Sequence, residues 1–232
     1  MSPPIIRTRR PTADPASLGC THPVLARVYA ARVHDAQELE LTWGALPSPG
    51  SLTDLPRAVE RLAQAVMDRE PIVIAGDYDA DGATATAVLV RTLRQLGACV
   101  DFLVPDRRLE GYGLTETLAR RVAALVPKPR WVVTVDNGIA SHAGIAWLQS
   151  AGIPAIVTDH HLLAKTLPPA FAVVNPRRLD DASGAVNLAG VGFAFLLAIA
   201  MYERLIERAW QAAAPSLAPL LPLVAARDRG RL

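Results

Sequence analysis

The sequence is poor in several features, and each shortage narrows what it can do. It has two cysteines, Cys20 and Cys99, far apart and in no CxxC spacing. That excludes a disulfide framework and a thiolate zinc site and leaves two free thiols in a reducing compartment. Aromatic residues make up 5% of the 232, so platforms for stacking on nucleobases are few. The net charge is +2, from 24 basic and 22 acidic residues, and no strong basic field singles out nucleic acid as partner. Lysine occurs only at Lys128 and Lys165, so arginine supplies the other 22 basic side chains. Guanidinium forks suit phosphate and carboxylate, but a biased genome produces the same skew and is the simpler reading. The longest apolar run, Leu188 to Tyr202, has 15 residues and two glycines, short of the roughly 18 that a membrane span needs. The N-terminus lacks an apolar stretch of signal-peptide length. The expectation is a cytoplasmic monomer with no membrane and no disulfide-linked partner.

What is present is a chain that is 51% apolar, enough for one ordinary core. Residues 1 to about 20 are rich in Pro and Arg and are expected to be poorly ordered at the start. Val24, Leu25, Val28, Tyr29 and Val33 predict an amphipathic helix from Pro23, followed by a short one near Ala36 to Leu41. A connector with Gly44, Pro47, Pro49, Gly50 and Pro56 precedes a helix carrying Leu55, Val59, Leu62, Ala63 and Val66 on one face.

The pattern then changes. Short unbroken apolar runs at Ile72–Gly76, Cys99–Val104, Trp131–Val135, Ile153–Val157 and Phe171–Val174 alternate with helical stretches. Those stretches cover Gly82–Leu96, Thr115–Val126 with Thr115 as N-cap, and about Ser141–Ala151. Strands that are apolar throughout, joined by helices, indicate a parallel sheet covered on both faces. The fold expected is α/β: an open, doubly wound, mostly parallel sheet with a helical N-terminal extension. Its expected divisions are 1–68 for the extension, 69–210 for the main domain and 211–232 for a tail.

In such sheets ligands bind beyond the carboxyl ends of the strands. The first run ends in Asp77-Tyr78-Asp79-Ala80-Asp81-Gly82, the third in Asp136-Asn137-Gly138, and the fourth in Thr158-Asp159-His160-His161. Five carboxylates and two imidazoles sharing a small volume would suppress one another's ionisation unless a cation neutralised them. A divalent ion, and more economically two, is the solution. An oxygen-rich set with one or two histidines suits Mn²⁺ or Mg²⁺ better than Zn²⁺.

Each piece has a plainer reading. Asp-x-Asp-x-Asp-Gly opens EF-hand loops, but the twelfth residue from Asp77 is Val88 rather than Glu, and a strand precedes it. Asp136-Asn137-Gly138 alone is as readily a tight turn, and a His-His pair alone is more often structural. His22, His34 and His142 are assigned no role. Asp79-Ala80-Asp81-Gly82 after a strand also imitates the nucleophile motif of haloacid-dehalogenase-like phosphatases, which would leave His160 and His161 without work. Arg107, Arg108 and Glu110-Gly111-Tyr112-Gly113 follow the second strand, where they either meet phosphate or form an ordinary exposed loop. Gly190 and Gly192 open the long apolar helix, as an anion site or, favoured on the motif alone, for close packing.

Taken together, the sequence resembles the DHH phosphoesterase superfamily, and within it the branch of single-strand-specific 5′→3′ DNA exonucleases, over about Leu25 to Tyr202. The residues that carry the resemblance are Gly76–Gly82, Glu110–Leu114, Val135–Ile139, Asp159-His160-His161, Val174-Asn175-Pro176 and Leu188–Gly192. The resemblance implies Asp79, Asp81, Asp136 and His160 as metal ligands, with Asp136 bridging two ions. It implies Asp77 as a ligand or its close neighbour, Asp159 orienting His160, and His161 contacting the scissile phosphate. Arg107, Gly190 and Gly192 are candidate phosphate contacts. The implied chemistry is hydrolysis of single-stranded DNA to 5′-mononucleotides by metal-activated water, in DNA repair and recombination. The family pattern continues through a further strand and a fourth metal-binding Asp. Here Leu217–Ala226 resembles the lead-in to it, and the chain then reads Arg227-Asp228-Arg229-Gly230-Arg231-Leu232. The expectation is therefore a truncated chain with three of four metal motifs and weak or absent activity, the extreme alternative being a non-catalytic metal-binding fragment.

Overall fold

A computed structural model describes residues 11–36, 39, 46–210 and 216–228. The chain divides into one unit of residues 1–46 with 230–232, and another of 47–229. In the first, α1 (Pro23–Ala30) starts at His22, whose Nδ1 accepts the Leu25 N–H. At its end the Thr12 N–H donates to Ala30 O, and Thr12 Oγ1 lies within hydrogen-bond distance of Ala30 O and Val33 O. Leu18, Ala30 and Val33 form a small apolar cluster. Val24, Leu25 and Val28, expected on the packed face, are exposed, and Ala26 and Ala30 are the buried positions. The expected disorder at the N-terminus and most of the short helix near Ala36–Leu41 lie outside the described residues.

The second unit begins with α2 (Leu55–Met67), which the sequence reading grouped with the extension. Its apolar face, Leu55, Ala58, Val59, Leu62 and Val66, joins the core of the main domain instead. The alternation that follows is β1 (Ile72–Ala75), α3 (Ala80–Gln95), β2 (Val100–Leu103), α4 (Glu116–Ala123), β3 (Trp131–Val135), α5 (His142–Ser150), β4 (Ala155–Thr158), β5 (Ala172–Val174), α6 (Gly190–Glu207) and α7 (Leu221–Asp228). All five strands pair in parallel, in the order β2-β1-β3-β4-β5. β1, β3, β4 and β5 are buried throughout, which is why their sequences are unbroken apolar runs.

Side chains alternate across the sheet and feed two cores. Ile72, Ile74, Val133 and Val135 pack with α2, α3, α6 and α7. Val73, Ala75, Val132 and Val157 pack with α4 and α5. Thr115 Oγ1 accepts the Leu118 N–H and caps α4 as the sequence predicts.

Each outer strand has one residue on its free side bonded by side chains. On β5 the Val173 N–H donates to Asp54 Oδ2 at 3.0 Å and its carbonyl accepts from Arg178 Nη1 at 2.7 Å. Arg178 in turn holds Asp54 at 2.7 Å. On β2, whose Asp101 and Phe102 are exposed, the Phe102 N–H donates to Asp101 Oδ1 at 2.8 Å. Cys20 and Cys99 are free thiols. No helix of the described residues is long and apolar enough to cross a membrane.

Candidate metal centre

With strand order 2-1-3-4-5, the connections leave β1 and β3 in opposite directions, and a crevice opens beyond their carboxyl ends. The loops after β1, β3 and β4 deliver their acids there. Asp77, Asp79 and Asp136 form one group of donors, and Asp136, His160 and His161 another. In each group the ligand atoms lie within 4.8 Å of one another. Asp136 is common to both.

The local geometry explains how each side chain is held. Asp79 Oδ1 accepts the N–H groups of Asp81 (2.8 Å) and Gly82 (3.0 Å) and so starts α3. Asp77, buried, accepts the Tyr78 N–H at 2.7 Å, and burial pushes its carboxyl above the ordinary range. Asp136 has a φ of 61°, a left-handed conformation that a non-glycine residue adopts only under constraint. Its carboxyl is pushed up to about 6, by burial first and then by Asp81 and Asp79, against the pull of His160. Its Oδ1 is buried without a hydrogen-bond partner, yet lies 3.0 Å from His160 Nε2. Neighbouring ligands of an octahedral ion at about 2.1 Å stand roughly 3.0 Å apart. An orphaned carboxylate oxygen at that separation from an imidazole nitrogen, among further oxygens, fits Mn²⁺ or Mg²⁺.

Asp81 stands apart from the two groups. Its Oδ2 accepts the Gly190 N–H and its Oδ1 the Val191 N–H, each at 2.8 Å, so it caps α6 from 109 residues away. Oδ2 also lies 3.7 Å from His160 Nε2. The helix end proposed as a phosphate site is thus already occupied. Gly190 is a glycine for space, since a Cβ there would come 2.4 Å from Asp136 Oδ1. Gly192 donates to the Ala189 carbonyl, and a Cβ on it would meet the Leu188 side chain at 2.5 Å. Both glycines serve close packing in place of the anion contact.

A second expectation changes at Asp159. Its Oδ1 accepts the His160 N–H at 2.7 Å, but the ring it holds is that of His161, Oδ1 to Nδ1 at 2.7 Å. Oδ2 accepts the Ile139 N–H at 2.9 Å. Burial works against the Asp159 carboxylate, but His161 and the N–H donors prevail and hold its pKa below the usual range. Asp159 raises that of His161, and Asp136 raises that of His160. The His160 ring is placed by Asp136.

Four side chains given no individual role in the sequence reading shape the site. Tyr112 donates from its hydroxyl to the Asp136 carbonyl at 3.4 Å and lies 3.3 Å from His161 Nδ1. Burial and the surrounding carboxylates keep its phenol protonated. Asn175 Nδ2 donates to the His161 carbonyl (3.1 Å), and Arg177 Nε to the His160 carbonyl (2.8 Å). Asn137 is buried between β1 and β3. Arg107 lies over the Tyr78 ring, 5.2 Å from its centroid, and forms no ion pair among the described residues. Glu110 pins the same loop to α4 through Arg121 and to the Asp106 N–H. His142 bonds the Thr166 carbonyl at 2.9 Å.

A parallel α/β sheet with an Asp- and His-lined centre at its switch point defines a class, and the chain belongs to the DHH family, whose N-terminal domain matches residues 71–221. Within it, the chain is 46% identical over 223 residues to the single-stranded-DNA-specific exonuclease RecJ of Dickeya dadantii, covering 94% of this chain and 38% of the relative. Among solved structures it resembles exonuclease RecJ bound to manganese, with a TM-score of 0.63 and 39% identity, over 75% of this chain and 42% of that one. It also resembles RecJ of Thermus thermophilus in complex with Mn²⁺, with a TM-score of 0.65 and 34% identity, over 90% of this chain and 28% of that one. The chain spans less than two fifths of the length of the Dickeya relative.

Proposed function

We propose that this chain is the metal-binding catalytic part of a 5′→3′ exonuclease acting on single-stranded DNA, with two Mn²⁺ or Mg²⁺ ions and 5′-mononucleotides as products. One observation carries the reading: the buried Oδ1 of Asp136, without a well-formed hydrogen bond and 3.0 Å from His160 Nε2, on the residue common to both donor groups. The likeness to RecJ proteins supports the substrate. Bound ions would supply charge against the phosphodiester and a water of lowered pKa.

The side chains do the rest. Asp77, Asp79, Asp136 and His160 would hold the ions, Asp136 being common to both donor groups. Asp81 holds α6 against the centre and lies 3.7 Å from His160 Nε2. Asp159 fixes the His161 ring and favours its protonated form, so that His161 donates a hydrogen bond to a non-bridging phosphate oxygen. Arg107, unpaired with any carboxylate among the described residues, takes a neighbouring phosphate. A phosphatase with Asp79 as nucleophile is the weaker reading, because the histidines, one donor group with Asp136, would have no part.

The test is release of 5′-mononucleotides from a 5′-phosphorylated single-stranded oligonucleotide in Mn²⁺, by the parent and by Asp136→Ala. Release that needs Mn²⁺ and vanishes in the variant is expected. A trapped phosphoaspartate at Asp79 would overturn the reading, and Mn²⁺ binding with no release at all would make the chain a metal-binding fragment.

A further inference from the structure

Between β1 and β3 the backbone ladder ends at Ala75 and Thr134. Beyond it the two chains turn their backs on each other. The Gly76 N–H bonds outward to Leu103 on the β2 side, and the Asp136 N–H bonds outward to Thr158 on the β4 side. No backbone rung therefore fixes the distance between Asp77 and Asp79, carried by one strand, and Asp136, carried by the other. One side chain spans this gap. Asn137 Nδ2 donates to the Ala75 carbonyl at 3.0 Å and to the Val135 carbonyl at 2.9 Å.

We infer that Asn137 is a positioning residue: its amide replaces the missing rung, and so sets the separation of the two strands at which Asp77, Asp79 and Asp136 converge on one ion. The inference rests on the metal-binding reading above.

The chemistry favours an amide. Two carbonyl oxygens need two hydrogens, and a primary amide carries both on one nitrogen. A carboxylate would face the carbonyls with lone pairs, a hydroxyl has one hydrogen, and an apolar side chain would supply neither donor across the gap. The remainder of the turn is held with the same care. Thr134 Oγ1 donates to the Asn137 carbonyl at 2.7 Å, so residue 137 is tied from its backbone and from its side chain. A left-handed conformation at the preceding Asp136 persists only where the surroundings over-determine it. Asn137 is fully enclosed, and its Oδ1 has no hydrogen-bond partner. The side chain is thus committed to the two strand carbonyls and takes no part in a wider network.

The experiment compares the parent chain, Asn137→Ala, and Leu148→Ala, a core change in α5 away from the centre. Each is titrated with Mn²⁺ by calorimetry, its urea midpoint is measured, and its Mn²⁺ electron paramagnetic resonance spectrum is recorded. Asn137→Ala is expected to weaken Mn²⁺ binding about tenfold or more, as loss of supporting contacts around metal ligands does. It is also expected to replace a spin-coupled pair signal by that of isolated ions. Leu148→Ala is expected to lower the urea midpoint and leave affinity and coupling as in the parent. Parent-like binding and coupling in Asn137→Ala would overturn the inference. So would affinity losses in both variants that merely follow their lost stability. If Asn137→Ala does not fold, Asn137→Ser, with a single donor, is judged by the same criteria. A parent that binds no Mn²⁺ would refute the metal-binding reading itself. A parent that binds a pair and a variant that does so equally well would refute this inference alone.

Discussion

Asp136 concentrates the tension of the site in one residue: a left-handed backbone, a buried carboxyl and an oxygen with no hydrogen-bond partner. Being common to both donor groups, it is expected to matter more than any single neighbour. Asp136→Ala should reduce Mn²⁺ occupancy more than Asp77→Ala, measured by calorimetric titration of both; equal losses would refute the bridging role. Proton competition follows from the same crowding. Without metal, Asp136 titrates near 6 and His160 above its ordinary value, so both hold protons to a higher pH than isolated side chains do. Metal must displace those protons. Mn²⁺ affinity is therefore expected to rise as pH rises through the window from about 5.5 to 7.5, on either side of the free histidine value of about 6.5, and then to level off. An affinity flat from pH 5 to pH 8 would mean that neither group is a ligand. That the acids meet was legible from their positions at strand ends. Which histidine Asp159 holds was not, because His160 and His161 are adjacent in one loop and only the turn decides which ring faces the carboxylate.

At the scale of elements, the α/β grammar was readable because buried parallel strands must be apolar on both faces, and four of the five are. β4 begins two residues into its apolar run, past Pro154, which lacks an N–H for the ladder. What the sequence hides is long-range polar pairing. Asp81 to residues 190 and 191, and Asn137 to Ala75, join groups whose separation leaves no local pattern. Asn, Asp and Arg also serve turns and caps everywhere. The helix starts give a paired prediction. Thr115→Ala removes the cap of α4 and should cost about 1 kcal/mol of stability, leaving Mn²⁺ affinity unchanged, because α4 carries no donor. Gly190→Ala should do the reverse of that selectivity: its Cβ would press on Asp136 Oδ1, so Mn²⁺ affinity should fall sharply even where the urea midpoint moves little. Urea titration and calorimetry on both variants decide it.

For the molecule as a whole, a net charge of +2 and 5% aromatics limit phosphate neutralisation and base stacking. The chain is expected to bind single-stranded DNA weakly and to release mononucleotides far more slowly than the longer Dickeya relative, by anisotropy and product release at matched salt. Equal rates would mean that residues 1–232 already hold the strand in register. The outer strands bear on a different matter, the behaviour of many copies together. An open sheet edge is a template on which another chain can crystallise its own backbone, the first step towards fibrils. Here Asp54 with Arg178 occupies both groups of Val173 on one edge, and Asp101 takes only the Phe102 N–H on the other. Asp54→Ala should bring forward the onset of thioflavin fluorescence and light scattering in concentrated solution, and an unchanged lag would count against that role. The same residues that finish the fold are thus also expected to set how densely this protein can be stored before neighbouring copies begin to read each other's edges.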